Sequence, residues 1–151
     1  MPTVAAHVDI AAPPEAVAAV LLDAGAAPLW TSGLNHLELV EGGLGEPGSV
    51  GHAHYGEGKR SYTLEDRLVS VTPNRRYVSI ITGGGLIARV ETDLEATAAG
   101  TTMRVIWTGT GTRPLARILL PLMKNRISRQ SQRDLEALRS LVESRWLNTM
   151  Q

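Results

Sequence analysis

The sequence predicts an α+β fold in which a curved antiparallel sheet of about seven strands packs against one long, kinked C-terminal helix. Three observations lead to this prediction. Residues 3–10 alternate between apolar and polar side chains, which is typical of a half-buried strand. Six further strand-like segments joined by short turns follow between residues 36 and 110, and short links favour antiparallel neighbours. Residues 114–146 then have the composition and periodicity of a helix.

Two short helices are predicted directly after the first strand. Pro14 suits the first position of a helix, Glu15 suits its N-terminal dipole, and Gly25 ends it. A second short helix or turn is expected from residue 26 to about residue 31. Because a single long helix covers only part of a curved sheet, these two helices are expected to close one end of it.

Turn-forming residues divide the middle of the chain into strands. The alternation is clearest in residues 86–95, where Ala88 and Val90 fall on the face opposite Arg89 and Glu91. The predicted strands cover residues 36–42, 49–57, 60–71, 76–82, 86–95 and 101–110.

The last helix begins with an unusual segment. Residues 115–123 are apolar nearly all round, which predicts burial on more than one side. Pro121 deletes one main-chain hydrogen bond and therefore predicts a kink. The sheet and the long helix are expected to leave a ligand cavity between them, with this segment at its mouth. Residues 1–151 are expected to form a single domain.

Composition excludes several classes of function. The chain has 151 residues, no cysteine, and equal numbers (15 each) of basic and acidic residues. The absence of cysteine rules out a disulfide framework, a thiol nucleophile and thiolate metal ligands. Zero net charge disfavours nucleic acid as a partner. With neither a signal peptide pattern nor about 20 consecutive apolar residues, a cytoplasmic location is expected.

Two motifs suggest cofactors but fit other roles better. Residues 43–48 match G-x-G-x-x-G, yet Pro47 interrupts the loop and a strand-like segment follows, so a hairpin turn is the better interpretation and no cofactor is expected. His36, His52 and His54 could hold zinc if they met on one face. Histidines at the surface or at a cavity mouth are the simpler interpretation, and no metal is expected.

Several segments together resemble the polyketide cyclase/dehydrase and lipid-transport branch of the START/SRPBCC superfamily. This superfamily has the helix-grip fold, which is also the fold of the birch-pollen allergen. The resemblance spans nearly the whole chain, and its motifs are caps, turns and core positions. It implies the helix-grip fold and a function among hydrophobic-ligand carriers, hormone receptors and aromatase/cyclases. The segments that carry it are residues 8–17, Asp23, residues 28–30, 45–51, 67–73, 100–103 and 134–143.

Ligand contacts are expected from the few aromatic side chains and from the long helix. Phe is absent, so rings must come from Trp and Tyr, although ordinary core packing is an equal alternative for each. Methionine on the helix would form an adaptable wall. The predicted ligand-binding residues are Trp30, His52, Tyr62, Tyr77, Trp107, Leu119 and Met123.

The strand at residues 60–71 carries the candidate catalytic groups. If the face with Tyr62 points inward, Asp66 is a buried carboxylate and Arg67 faces water; a bulge near residues 66–69 would reverse this. The resemblance implies that some aromatase/cyclases place an arginine in the pocket to polarise a carbonyl. Arg67 and Asp66 are therefore the catalytic candidates.

Two main hypotheses follow for the function. The first is binding of a hydrophobic small molecule, polyketide-, lipid- or sterol-like. The second is a cofactor-independent polyketide aromatase/cyclase or dehydrase, in which Tyr62, Asp66, Arg67 and His52 steer proton transfer.

The basic C-terminal region leaves further possibilities open. Residues 113–146 carry eight basic and three acidic residues, a net charge of +5. A basic helix can lie on an anionic membrane or mediate a homodimer. A solvated face is the simpler interpretation, and no stable membrane insertion is expected.

Overall fold

The computed structural model describes residues 2–151 and contains seven strands and four helices. The predicted fold class is confirmed, and the first strand lies where the alternation places it. The elements are β1 (Thr3–Ile10), α1 (Pro14–Leu21), α2 (Ala27–Trp30), β2 (Leu34–Glu41), β3 (Val50–Tyr55), β4 (Tyr62–Thr72), β5 (Arg76–Gly83), β6 (Leu86–Thr97), β7 (Gly100–Gly111), α3 (Pro114–Leu122) and α4 (Lys124–Thr149), with a 3-10 turn at Gly58–Arg60.

All seven strands form one antiparallel sheet in the order β1-β7-β6-β5-β4-β3-β2. Strands β2 to β7 are neighbours in sequence and in space, as their short links require. β1 instead pairs with β7, from Thr3 opposite Thr108 to Ile10 opposite Thr101. The first two strands therefore occupy opposite edges of the sheet, and α1 and α2 connect them.

The core lies between α4 and the sheet edge formed by β1 and β7. Leu135, Leu138 and Val142 of α4 are buried, and they belong to one hydrophobic cluster with Ile10 of β1 and Met103 of β7. These three helix positions are spaced i, i+3 and i+7, so they form one stripe along α4. This buried stripe of α4 therefore faces the sheet.

Polar side chains of α4 also bond to the chain near β1. The Glu143 carboxylate accepts a hydrogen bond from the main-chain N–H of Ala11 at 2.8 Å. The Gln132 amide donates to the main-chain oxygen of His7 at 2.9 Å. Together these contacts fix the position of α4 along β1.

The C-terminal helix is broken, and its first part is exposed. α3 ends and α4 begins at Met123, whose N–H donates to the Leu120 carbonyl oxygen at 3.0 Å instead of to the residue four back. Pro121, two residues before the break, has no N–H to bond to the Arg117 carbonyl oxygen, and this loss weakens the last turn of α3. No residue of α3 is buried. The prediction that this segment is buried on more than one side is therefore wrong.

Packing explains why α3 is exposed. It contacts mainly β7, where Gly111 has no side chain: a Cβ there would lie 2.5 Å from the main-chain carbon of Ala116. This close approach seats one side of α3 and leaves its opposite side without a neighbour. Within residues 2–151, no helix is both long and apolar enough to cross a membrane.

The core packing generates a stability prediction. Leu138 is 0% exposed at the centre of the cluster, so we expect Leu138→Ala to lower the free energy of unfolding by about 2–5 kcal/mol. Leu147→Ala, on the same helix but 59% exposed, serves as the control and is expected to cost much less. Urea unfolding followed by circular dichroism measures both, and similar losses in the two variants would contradict this account of the core.

Candidate ligand-binding site

A cavity of about 370 Å³ lies between the inner face of the sheet and the start of α4. Its size falls within the range of small-molecule sites, roughly 300–1,000 Å³. Most of the surface that lines it is apolar. The aliphatic lining includes Leu68 of β4, Ile81 of β5, Val90 of β6, Met103 and Val105 of β7 and Leu135 of α4, and the aromatic lining consists of Trp30, Tyr55, Tyr77 and Trp107.

Strand alternation selects the side chains that reach the cavity. Along β7, Met103, Val105 and Trp107 point inward, and Gly109 is the next position on the same face. A Cβ at Gly109 would lie 2.5 Å from the Trp107 ring, so only glycine lets the indole fold back over its own strand. The shape of this part of the cavity therefore depends on a residue without a side chain.

A carboxyl group lies in this mostly apolar lining. Asp66 of β4 faces the cavity beside Ser79 of β5. Burial raises the pKa of the Asp66 carboxyl above its ordinary value of 3.8, and a hydrogen bond from the Ser79 hydroxyl opposes this rise. Asp66 is thus shifted toward its neutral form, which donates a hydrogen bond as well as accepting one.

Tyr55 supplies a second polar group. Burial, followed in size by the nearby Tyr62, Asp66 and Asp134, raises the pKa of the Tyr55 hydroxyl to about 12. The hydroxyl therefore keeps its proton and remains a donor throughout the physiological pH range. Its ring stacks on that of Tyr62, with ring centres 5.2 Å apart and planes 6° from parallel.

Trp30 carries an unpaired polar atom. Its ring lines the cavity, but its indole Nε1 is buried and has no hydrogen-bond partner within residues 2–151. An unpaired buried donor costs about 1–3 kcal/mol.

The opening of the cavity is marked by its exposed lining residues. Leu39 and Leu44, at and beyond the end of β2, are 40% and 55% exposed and still line the cavity. The β2–β3 loop that follows packs closely on α1, since a Cβ at Gly45 would lie 2.9 Å from a Leu22 methyl carbon. The exposed part of the lining therefore lies at β2 and this loop, and none of residues 115–123 lines the cavity, contrary to the expectation of a mouth there.

Three predicted ligand-binding residues, Trp30, Tyr77 and Trp107, line the cavity. The Tyr77 hydroxyl accepts a hydrogen bond from the main-chain N–H of Asn74 at 3.0 Å, so this residue offers its ring to the cavity. That these three residues contact a ligand stays a prediction.

The other four predicted ligand-binding residues lie outside the lining, and each placement has a physical reason. On β3, Gly51, Ala53 and Tyr55 point inward, so His52 faces the opposite side. Tyr62 lies at the end of β4, 51% exposed, and reaches the cavity only through its stack on Tyr55. Leu119 and Met123, 45% and 43% exposed, belong to the part of the C-terminal helix that Pro121 separates from α4.

The two catalytic candidates point in opposite directions. Asp66 and Leu68 line the cavity, and Arg67 between them is exposed on the other face of the sheet. The β4–β5 pairing does shift, between Leu68 and Ser70, but this irregularity comes after Arg67 and leaves Val69 42% exposed. Arg67 is therefore corrected to a surface residue.

The three histidines lie on the outer face of the sheet. His36 and His54 are cross-strand partners with stacked rings 5.5 Å apart, and His52 lies beside them with its ring centre 6.5 Å from that of His54. The Oε1 atom of Glu38 lies 3.9 Å from the Nε2 atom of His54. In the part of the chain that the structure describes, no group of three or more His, Cys, Asp or Glu side chains is arranged to hold a metal ion.

Sequence reasoning left several polar lining residues out of the predicted site. Ser79 and Thr92 line the cavity, and so does Tyr55, which is one of the few rings the sequence offers for ligand contact but is absent from the predicted ligand-binding residues. Thr92 could have been found, because it shares the inner face of β6 with Ala88 and Val90. For Tyr55 the alternation gave no answer, since glycine and alanine on one face of β3 oppose histidines on the other.

The curved sheet, the long C-terminal helix and the apolar cavity between them define a helix-grip protein. The family described as polyketide cyclase/dehydrase and lipid transport matches residues 1–143, and the chain belongs to this family. The resemblance inferred from the sequence is thereby confirmed. None of the curated proteins matches the chain.

Solved structures share the fold at low sequence identity. The Zhui aromatase/cyclase from a Streptomyces species is 22% identical with a TM-score of 0.77, over 95% of this chain and 94% of that one. The protein Ara h 8.0201 is 22% identical with a TM-score of 0.71, over 94% of this chain and 97% of that one. A protein from Chromobacterium violaceum is 18% identical with a TM-score of 0.72, also over 94% and 97%. At these identities the likeness shows the fold alone.

The environment of Asp66 generates a prediction about pH. Burial raises the pKa of the Asp66 carboxyl in the folded state, so the folded protein holds this proton at pH values where the unfolded chain has lost it. The contribution of Asp66 to stability therefore falls as pH rises from 3.8 through the raised pKa. Asp66→Asn removes the ionisation. We expect its melting temperature to exceed that of the wild type at neutral pH, with a gap that narrows as pH falls toward 3.8.

Thermal unfolding across this pH range measures the gap. Glu65→Gln changes the adjacent carboxylate, whose side chain lies on the other face of β4, and controls for the loss of one negative charge. A gap for Asp66→Asn that stayed constant with pH, or that matched the control, would contradict the assignment.

Proposed function

We propose that the protein binds a hydrophobic small molecule, polyketide-, lipid- or sterol-like, in the cavity between the sheet and α4. The observation that carries the proposal is the cavity itself: about 370 Å³, mostly apolar, and lined by four aromatic rings. When a hydrophobic ligand displaces the water in contact with such a surface, the free energy of the system falls, which favours binding. Membership of a family whose description includes polyketide chemistry and lipid transport supports the same class of ligand.

The polar groups define the ligand more closely. Tyr55 is a donor and Asp66 is shifted toward a form that donates, so the cavity matches a molecule with hydrogen-bond acceptors such as carbonyl or phenolic oxygens. The volume lies near the lower end of the usual range, and the rings Trp30, Tyr77 and Trp107 offer flat surfaces. A compact ring-containing molecule with a few oxygens fits these features better than a long acyl chain does.

A variant that fills the cavity tests this proposal. Val90→Phe adds a ring to the inner face of β6, where we expect it to raise the Kd for anilinonaphthalene sulfonate, a hydrophobic fluorescent probe, by about tenfold or more, equivalent to at least about 1.4 kcal/mol. Fluorescence titration gives the Kd. An unchanged melting temperature would confirm that this variant, and the control described next, are folded.

The matched control is Ile87→Phe on the same strand. Ile87 is 39% exposed and lies outside the cavity lining, so the same kind of ring is added on the surface. We expect this variant to bind the probe as the wild type does. Equal affinities for all three proteins would place the probe elsewhere and overturn the proposal.

A second candidate function is cyclase or dehydrase catalysis, and the observation that favours it is Asp66. A carboxyl group with a raised pKa in an apolar cavity is able to protonate a ligand carbonyl oxygen and, once ionised, to remove a proton from a neighbouring carbon. Both steps occur when a poly-β-keto chain closes a ring and loses water. Positioning of the chain by the cavity walls would supply the remaining rate acceleration.

Product analysis tests this second candidate. A poly-β-keto thioester is incubated with the wild type, Asp66→Asn and Glu65→Gln, and the products are separated by mass spectrometry. Catalysis by Asp66 predicts cyclised product from the wild type and the control, and an Asp66→Asn variant that binds the hydrophobic probe but loses turnover. Identical product profiles with and without protein would contradict a catalytic function and leave the binding function in place.

A further inference from the structure

The α3 helix exposes its apolar stripe to solvent, contrary to the usual arrangement in a globular protein. Leu115, Ile118, Leu119 and Leu122 are spaced i, i+3, i+4 and i+7 and therefore share one face. They are 68%, 66%, 45% and 77% exposed, and Met123 at the end of the helix is 43% exposed. Contiguous exposed aliphatic side chains of this kind mark an interaction surface.

Cations precede, interrupt and follow this stripe in the sequence. Arg113, Arg117, Lys124, Arg126, Arg129 and Arg133 are exposed, and none of them forms an ion pair within residues 2–151. The sequence contains no acidic residue between Glu95 and Asp134. The apolar stripe therefore lies in a segment of the chain whose charged residues are all basic.

We propose that α3 docks the protein on the surface of an anionic lipid bilayer. Helices that lie in the membrane interface combine an apolar face with flanking Lys and Arg, and the cations are attracted by acidic headgroups. The helix has nine residues and is about 13 Å long, which suits shallow insertion parallel to the bilayer plane and is too short to span it.

Charge favours a lipid bilayer over a second copy of the chain as the partner of this surface. A symmetric dimer would bring the same patch of both copies together, so cations would face cations. A bilayer containing acidic lipids supplies the opposite charge and needs no matching shape. The surface is also separate from the ligand site, because no α3 residue lines the cavity, so the proposal does not depend on what the cavity binds.

Vesicle co-sedimentation of the full chain tests the proposal. The vesicles contain phosphatidylcholine alone or with about 30% phosphatidylglycerol, at about 50 mM salt, where the Debye length is long enough for surface charges to act. We expect binding to the anionic vesicles, and much weaker binding to neutral ones or at high salt. Removing two cations in K124Q/R126Q is expected to weaken binding by about twenty-five-fold, since each contributes about fivefold.

The apolar stripe is tested by I118E/L122E, two substitutions on the exposed face of α3. The matched control is L147E/M150E, which makes the same change in charge in the last turn of α4 and directly after it, at positions with similar exposure, 59% and 66%. We expect the first variant to lose vesicle binding and the second to retain it. Both should keep the wild-type melting temperature and affinity for the hydrophobic probe.

Four outcomes would overturn the proposal. The wild type fails to bind anionic vesicles, or binds neutral vesicles equally well. The variant I118E/L122E binds as the wild type does. The wild type is a dimer that I118E/L122E converts to a monomer while vesicles have no effect, which would assign the surface to a second copy of the chain.

Discussion

The packing of α4 on the β1 edge of the sheet is the constraint on which the rest of the structure depends. Leu138 and Val142, in the second half of the helix, are buried in the core, and Ser131 and Asp134, in the first half, face the cavity. Leu135 belongs to both, since it is buried in the core cluster and also lines the cavity. Large apolar side chains fill the core at one end of the helix, and small or polar ones leave space at the other. The cavity exists because the apolar stripe of α4 is interrupted at Ser131.

The same constraint sets the chemistry of the cavity. Asp134 faces the cavity and also contacts the chain beyond α2. Its carboxylate accepts a hydrogen bond from the main-chain N–H of Ser32, two residues after the end of α2, at 3.1 Å, which connects α4 to this part of the chain. α2 in turn presents Trp30 to the cavity, while β4 presents Asp66. α4 therefore holds α2, and with it Trp30, at the cavity, whereas Tyr55 and Asp66 are held by the pairing of β3 and β4 in the sheet.

Much of the fold could be predicted from the sequence, and less of the site. Alternation located β1 and the inner faces of β6 and β7, so Trp107 could be placed correctly. The alternation of side chains could not identify the inner face of β3, because glycine and alanine on one face carry too little apolar surface to distinguish it from the face that carries the histidines. The apolar composition of residues 115–123 predicted burial, but a helix that follows the last strand has only the end of β7, at Gly111, to pack against. Burial depends on neighbours, which local sequence does not specify.

The central claim is that a hydrophobic ligand occupies the cavity and not the exposed stripe of α3, since both surfaces attract apolar molecules. Two-dimensional ¹H–¹⁵N NMR of the labelled protein, titrated with anilinonaphthalene sulfonate, distinguishes them residue by residue. We expect the largest shift changes at the indole N–H groups of Trp30 and Trp107 and at the amides of Gly51 and Ser131, which line the cavity. Changes concentrated in residues 115–123, with the cavity signals unmoved, would contradict the account.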